Sequence, residues 1–159
     1  MYVEGGNTFW LAHCIKEGDW SNILTNAVAG TRGDDDMERE NAAAVPPAVY
    51  IGKSAGAIIA GKYIETATWK EWDDPSVVPG MTEYSDWIGA KGLGLVDACS
   101  FFPHMSSDWE DLVQTKKKEL GTRDEEYERM PNLVHCLHEG DSFCVDGDTK
   151  YVAFKNTKE

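Results

Sequence analysis

Short apolar runs indicate where the strands of this chain lie. Residues 1–4 are apolar enough to be the end of a strand. Residues 48–51 are apolar and follow two prolines, which predicts a buried strand there. Further strands are predicted at 95–102, 133–137, 143–145 and 150–154.

Helix signals stand between these strands. Asn7 can cap a first helix, and Asp19 a second one with apolar residues along one face. A third helix is predicted at about 54–63, and the Ser-x-x-Glu spacing at 107–110 predicts a fourth that ends at Gly121. Because strands alternate with helices, we expect an α/β fold with a largely parallel sheet.

Two segments carry little regular pattern. Segment 31–47 contains three consecutive aspartates and few apolar residues, which predicts a mobile acidic loop. Segment 65–90 holds prolines and tryptophans without clear periodicity and is predicted to be irregular. The whole chain, 1–159, is expected to form a single domain.

Charge and cysteine content narrow the classes of function. The chain has 28 acidic and 15 basic residues and a net charge of −13, which disfavours nucleic acids and anionic membranes as partners. No apolar run approaches the ~20 residues of a membrane helix. The four cysteines, without a secretory signal at the start of the chain, predict reduced and mostly buried thiols, so a cytoplasmic location is expected.

The sharpest local motif is Gly-x-Ser-x-Gly at 52–56. It follows a predicted strand and opens a predicted helix, which is the setting of a nucleophilic serine. Glycines on both sides permit the tight bend that projects the Ser54 hydroxyl, and the N–H of Ala55 can face a developing oxyanion. The alternative interpretation is that Ser54 only caps the helix.

A serine nucleophile needs a base and an acid that orients it. His104 follows a predicted strand, on the sheet edge where catalytic groups gather, and His138 is the alternative. Glu139 follows the next predicted strand, with Asp73 and Asp74 as alternatives.

Four ordered segments together resemble the peptidase E family, the aspartyl dipeptidase group of serine peptidases. They are 3–9, similar to the family's Gly-Gly-Gly-Asn-Thr-Phe segment; 50–57, similar to its nucleophile segment; 92–97 with 103–104, similar to the run that ends in its catalytic histidine; and 137–140, where the family has its triad glutamate. By this resemblance Ser54 is the nucleophile, His104 the general base and Glu139 the orienting acid. By the resemblance, either Gly5 or Gly6 supplies a second oxyanion N–H beside that of Ala55.

The resemblance also implies a fold and a substrate. The fold is a three-layer sandwich of the glutamine-amidotransferase type, and no metal or organic cofactor is required. The substrate is a small peptide, with dipeptides that begin with aspartate as the family's best-known class. Lys118 is the candidate for binding the acidic group, because the family places a substrate-binding arginine between its triad histidine and glutamate. Homo-oligomerisation is left open.

Two departures from the family pattern support other interpretations. Glu4 replaces the first glycine of the Gly-Gly-Gly segment, and a carboxylate facing the site would oppose an oxyanion. The family's N-terminal strands are expected to be missing, through truncation or replacement by a partner chain. The alternative function is therefore that of a catalytically impaired relative with a non-enzymatic or interaction role. A further alternative is a zinc site built from His135, Cys136, His138 and Cys144.

Overall fold

The computed structural model describes residues 1–30, 46–96, 98–127 and 133–153. The strands in this part of the chain are β1 (Tyr2–Val3), β2 (Ile51–Gly52), β3 (Cys99–Met105), β4 (Leu133–His138), β5 (Ser142–Asp146) and β6 (Thr149–Ala153). The helices are α1 (Thr8–Glu17), α2 (Trp20–Ala29), α3 (Ala55–Ala60) and α4 (Glu110–Tyr127). None of these helices combines the length and apolarity needed to cross a membrane. The predicted acidic loop at 31–47 lies almost wholly outside the described residues.

The strands form three pairs. β1 pairs with β2 and β3 with β4, both in parallel, whereas β5 and β6 form an antiparallel hairpin. Helices and parallel strands therefore occur together, as predicted, and the three-layer sandwich stays a prediction. Segment 65–90 is irregular as expected, with short 3-10 turns at Glu65–Thr68, Pro75–Val77 and Tyr84–Trp87.

Buried apolar side chains hold the elements around the site in place. Phe9 of α1 is 0% exposed and packs with Ile58 and Ile59 of α3. Phe102 of β3 is 1% exposed and packs with Val113 of α4. Each such side chain contributes about 1.5–3 kcal/mol through burial, so α3 and β3 are firmly anchored.

A third cluster joins these two regions. Ala60 at the end of α3 packs with Cys99 and Phe101 of β3. The backbone N–H of Lys62 also donates to the Cys99 carbonyl at 2.6 Å. The helix that begins at Ser54 is thereby fixed against the strand that carries His104.

Several predicted details are wrong. The strand expected at 48–51 is shorter, and Ile51 is 54% exposed, because the described residues leave that side of β2 open. Gly121 does not end the fourth helix, since α4 continues to Tyr127. The predicted capping box at Ser107 is also wrong, because Ser107 lies inside a 3-10 turn, Ser107–Trp109, that leads into α4. The four cysteines are free thiols, as expected, but they are not mostly buried, since Cys99 alone is buried.

Candidate active site

Ser54 occupies a sharp turn between β2 and α3. Its φ of 51° lies in the left-handed region, which costs a residue other than glycine roughly 1–2 kcal/mol. Its side chain makes no capping hydrogen bond to α3, so the simple capping interpretation finds no support. The hydroxyl is instead directed to an imidazole, and backbone strain of this kind is typical of functional sites.

The two glycines of the motif are required by close backbone contacts. A Cβ on Gly52 would lie 2.4 Å from the carbonyl oxygen of Gly56. A Cβ on Gly56 would lie 2.2 Å from the carbonyl oxygen of Val3 in β1. The small residues therefore let β1, β2 and α3 approach closely enough to form the turn.

Three predicted side chains meet at this turn. His104 Nε2 lies 3.0 Å from Ser54 Oγ, and His104 Nδ1 lies 2.5 Å from Glu139 Oε1. His104 lies near the end of β3, and Glu139 directly follows β4. Because these parallel strands are neighbours, their carboxyl ends bring the imidazole and the carboxylate together. Glu139 is 78% exposed and His104 38%, so the pair is open to solvent.

The alternative residues make other contacts. His138 is exposed, and its backbone N–H donates to Asp141 Oδ2 at 3.0 Å. Asp73 accepts the backbone N–H of Thr8 at 2.8 Å, and Asp74 accepts that of Ser76 at 2.9 Å. Within the described ranges, neither aspartate forms a hydrogen bond or ion pair with the His104 imidazole.

The candidate oxyanion donors differ in their surroundings. Ala55 is the first residue of α3, so its N–H has no acceptor within that helix. Gly5 lies against Ser54, since a Cβ built on it would be 3.0 Å from Ser54 Cβ. A Cβ on Gly6 would meet nothing within 4 Å, and its φ of 144° suits glycine.

The Glu4 carboxylate already accepts a hydrogen bond from one of these candidate donors. Its Oε1 accepts the Gly5 N–H at 3.2 Å and pairs with Lys53 Nζ at 3.1 Å. The Tyr2 hydroxyl donates to Oε2 at 2.7 Å, and these hydrogen bonds, that of Tyr2 foremost, lower the pKa of Glu4 to about 2. The carboxylate is thus charged at neutral pH and bound to the N–H of Gly5, the residue that packs against Ser54.

A cavity of about 50 Å³ adjoins Ser54 and His104. Its lining also includes Thr8, Lys70, Trp72 and Asp73. Among the described residues, the buried hydroxyl of Thr8 has no hydrogen-bond partner. Because Thr8 lines the cavity, its hydroxyl is a candidate partner for a bound molecule once neighbouring atoms shift to expose it.

The cationic side chain in the cavity wall is one that sequence reasoning missed. Lys118 lies within α4, outside the residues that line the cavity, and its predicted role stays a prediction. Lys70 lines the cavity instead. A lysine between Trp69 and Trp72 was the one local signal, since aromatic side chains favour a nearby cation.

The alternative zinc site is not supported. Within the described ranges, no group of three or more His, Cys, Asp or Glu side chains is arranged to hold a metal ion. His135 instead packs against the rings of Phe101 and Phe143, and burial lowers its pKa.

Comparison with known proteins identifies the family. The family model described as peptidase family S51 matches residues 1–152. This chain belongs to peptidase family S51. An uncharacterized peptidase of Listeria innocua is 29% identical to this S51 chain over 107 residues, which cover 67% of the chain and 39% of that relative.

A solved structure shares the fold. The protein, from Listeria monocytogenes and provisionally assigned to peptidase E, matches with a TM-score of 0.60 and 22% identity. The match covers 98% of the S51 chain described here and 59% of the other chain. The chain thus spans well under two thirds of the length of either protein.

Proposed function

We propose that this chain is a serine peptidase that hydrolyses short peptides through Ser54, His104 and Glu139. The observation that carries the proposal is the single imidazole that lies within hydrogen-bond distance of both the hydroxyl and the carboxylate. Membership of family S51 supports peptide hydrolysis as the reaction class.

The geometry supports a proton relay. With its proton on Nδ1, a neutral His104 donates to Glu139 and presents Nε2 to the Ser54 hydroxyl. Ser54 Oγ attacks the peptide carbonyl carbon while its proton passes to Nε2. The imidazolium then protonates the leaving amine as the C–N bond breaks, which leaves an acyl ester on Ser54. Water, deprotonated by the same imidazole, hydrolyses that ester.

The developing oxyanion needs donors beside Ser54. Ala55 N–H, at the start of α3, and Gly5 N–H are the candidates. Because Gly5 N–H is bound to Glu4, that carboxylate must turn away before Gly5 can serve the oxyanion. Glu4 is exposed, so this rotation is opposed by its contacts with Tyr2 and Lys53 and not by core packing.

Dipeptides with N-terminal aspartate are the proposed substrates. The peptidase E resemblance supports this choice, and the small size of the cavity, about 50 Å³, suits a short side chain at the cleaved bond. No step of the proposed reaction requires a cofactor.

A fluorophosphonate probe tests the nucleophile directly. We expect the parent protein to be labelled at Ser54, the Ser54→Ala variant to remain unlabelled, and Ser106→Ala to label like the parent. Equal labelling of parent and Ser54→Ala would contradict the assignment.

The second candidate function is that of a non-catalytic relative, and the contact between Glu4 and Gly5 favours it. An Asp-x dipeptide that survives long incubation with folded protein would support this alternative. Release of free aspartate by the parent protein and not by Ser54→Ala would exclude it.

A further inference from the structure

The ammonium group of Lys70 contacts the backbone of His104. Its Nζ donates to the carbonyl oxygens of Pro103 at 2.7 Å and His104 at 2.6 Å. Both carbonyls belong to the stretch of β3 between Phe102 and Met105, where the register with β4 shifts. In this interrupted stretch, Lys70 supplies donors to two consecutive carbonyl groups.

Aromatic rings surround the same ammonium group. Lys70 Nζ lies 4.4 Å from the ring centres of Trp72 and Phe102 and 5.4 Å from that of Trp109. The Trp72 ring also lies 6.0 Å from the His104 ring. Cation–π attraction therefore keeps Lys70 in a defined place, next to the backbone and the ring of the same histidine.

His104 needs such support because its backbone is strained. Its φ is 54°, a left-handed conformation that residues other than glycine seldom adopt. An irregularity of this kind in a strand re-aims the side chain, and here the imidazole reaches Ser54 at 3.0 Å. Strain of this sort persists only where neighbouring groups oppose its relaxation.

We propose that Lys70 is a positioning residue that holds the strained backbone of His104 so that the imidazole stays aligned with Ser54. This inference rests on the proposed function, because alignment matters only if His104 acts as the base. Two of the three ammonium donors are engaged by backbone carbonyls, which favours a positioning role over direct capture of a substrate carboxylate.

The role carries a pH signature. Burial lowers the pKa of Lys70 to about 8, while electrostatic interactions with Cys136 and Glu139 act in the opposite direction. As the pH rises through about 8, Lys70 loses its charge, and its hydrogen bonds to the two carbonyl oxygens weaken. The peptidase activity is therefore expected to fall. An arginine at this position stays charged throughout and is expected to remove that fall.

The pH dependence of folding stability is expected to have the opposite sign to the pH dependence of activity. The folded-state pKa of about 8 lies below the ordinary 10.5, so the unfolded chain binds more protons between these values. The contribution of Lys70 to the free energy of unfolding therefore rises with pH across that window, while activity falls.

Two variants and a matched control test the proposal. Lys70→Met keeps the apolar stem without donors, and Lys70→Arg keeps charge and donors. Lys62→Met is the control, because Lys62 also lies over an aromatic ring, that of Tyr63 at 4.9 Å, without binding His104. The readouts are fluorophosphonate labelling, kcat and KM for Asp-x and neutral dipeptides, and two-bond ¹H–¹⁵N spectra that report the His104 tautomer.

We expect Lys70→Met to lower kcat and the maximal labelling rate by about 30-fold for all substrates, with little change in KM. Lys70→Arg should restore most of the loss and Lys62→Met should behave as the parent. The spectra should show the Nδ1-protonated tautomer in the parent and a tautomer mixture in Lys70→Met.

Other results would overturn the proposal. A rise in KM for acidic substrates alone would assign Lys70 to substrate binding instead. Parent-like labelling and an unchanged tautomer in Lys70→Met would exclude both roles. If Lys70→Met does not fold, Lys70→Gln takes its place, and parent-like labelling with an unchanged tautomer in that variant overturns the proposal. If the parent itself is never labelled, the proposed function fails, and the tautomer spectra alone decide whether Lys70 positions His104.

Discussion

Substitution of Gly56 by alanine sets two physical effects against each other. Gly56 is the second residue of α3, where alanine is favoured over glycine by about 1 kcal/mol. The new Cβ, however, would lie 2.2 Å from the Val3 carbonyl oxygen, more than 1 Å closer than an ordinary contact. Overpacking of this kind costs roughly 1–3 kcal/mol or more, so we expect a net loss of about 2 kcal/mol.

The loss should be measurable as stability and as reactivity. A change of about 2 kcal/mol corresponds to a Tm lowered by roughly 4–8 °C in a chain of this size. Fluorophosphonate labelling should also slow, because β1 moves away from α3 and carries Gly5 away from Ser54. Urea titration and thermal denaturation give the free energy of unfolding.

Gly80→Ala is the matched control for this prediction. Gly80 has a φ of 80°, and a Cβ there would meet nothing within 4 Å, so the variant incurs backbone strain without a clash. We expect it to cost about 1 kcal/mol and to leave labelling unchanged. A Gly56→Ala variant that is as stable and reactive as the parent would refute the close contact between β1 and α3.

Three further substitutions test individual contacts. Glu139→Gln should slow labelling roughly 100-fold at unchanged circular dichroism, because the tautomer of the base is no longer fixed, whereas the exposed control Glu119→Gln should have no effect; equal rates would contradict the orienting role. Glu4→Gly should speed labelling roughly tenfold by freeing the Gly5 N–H, and an unchanged or lower rate would show that Glu4 does not obstruct it. Thr8→Val should raise KM about tenfold without lowering Tm, because the buried hydroxyl has no partner among the described residues, and an unchanged KM would exclude contact with substrate.

Sequence reasoning succeeded where a signal is local. Asn7 caps α1 through its side chain, which accepts the Trp10 N–H at 2.9 Å, as its position predicts.

Sequence reasoning failed where packing against distant residues decides the local structure. Gly121 was predicted to end a helix, but α4 continues because a helix interior tolerates glycine at about 1 kcal/mol and Leu120 is anchored in the core. The exposure of Ile51 likewise depends on what covers β2, which the local pattern does not specify.

The candidate site divides in the same way. Ser54 lies in a recognisable motif, and the ends of neighbouring parallel strands explain why His104 and Glu139 lie together. Glu139 could be selected among 28 acidic residues only through the family resemblance. Lys70 was missed because it acts through carbonyls 33 and 34 residues away in sequence, within an irregular segment that has no periodicity to interpret.

The strand pairing has a mechanical consequence for the proposed proton relay. His104 and Glu139 are carried by one pair, β3 and β4, so their mutual distance is set within a single hydrogen-bonded unit. Ser54 follows β2, which pairs with β1. A sliding motion between the two units would lengthen the hydroxyl–imidazole contact and leave the imidazole–carboxylate contact intact. A compound that binds between α3 and β3 would therefore break the hydrogen bond between Ser54 and His104 without contacting Ser54, His104 or Glu139.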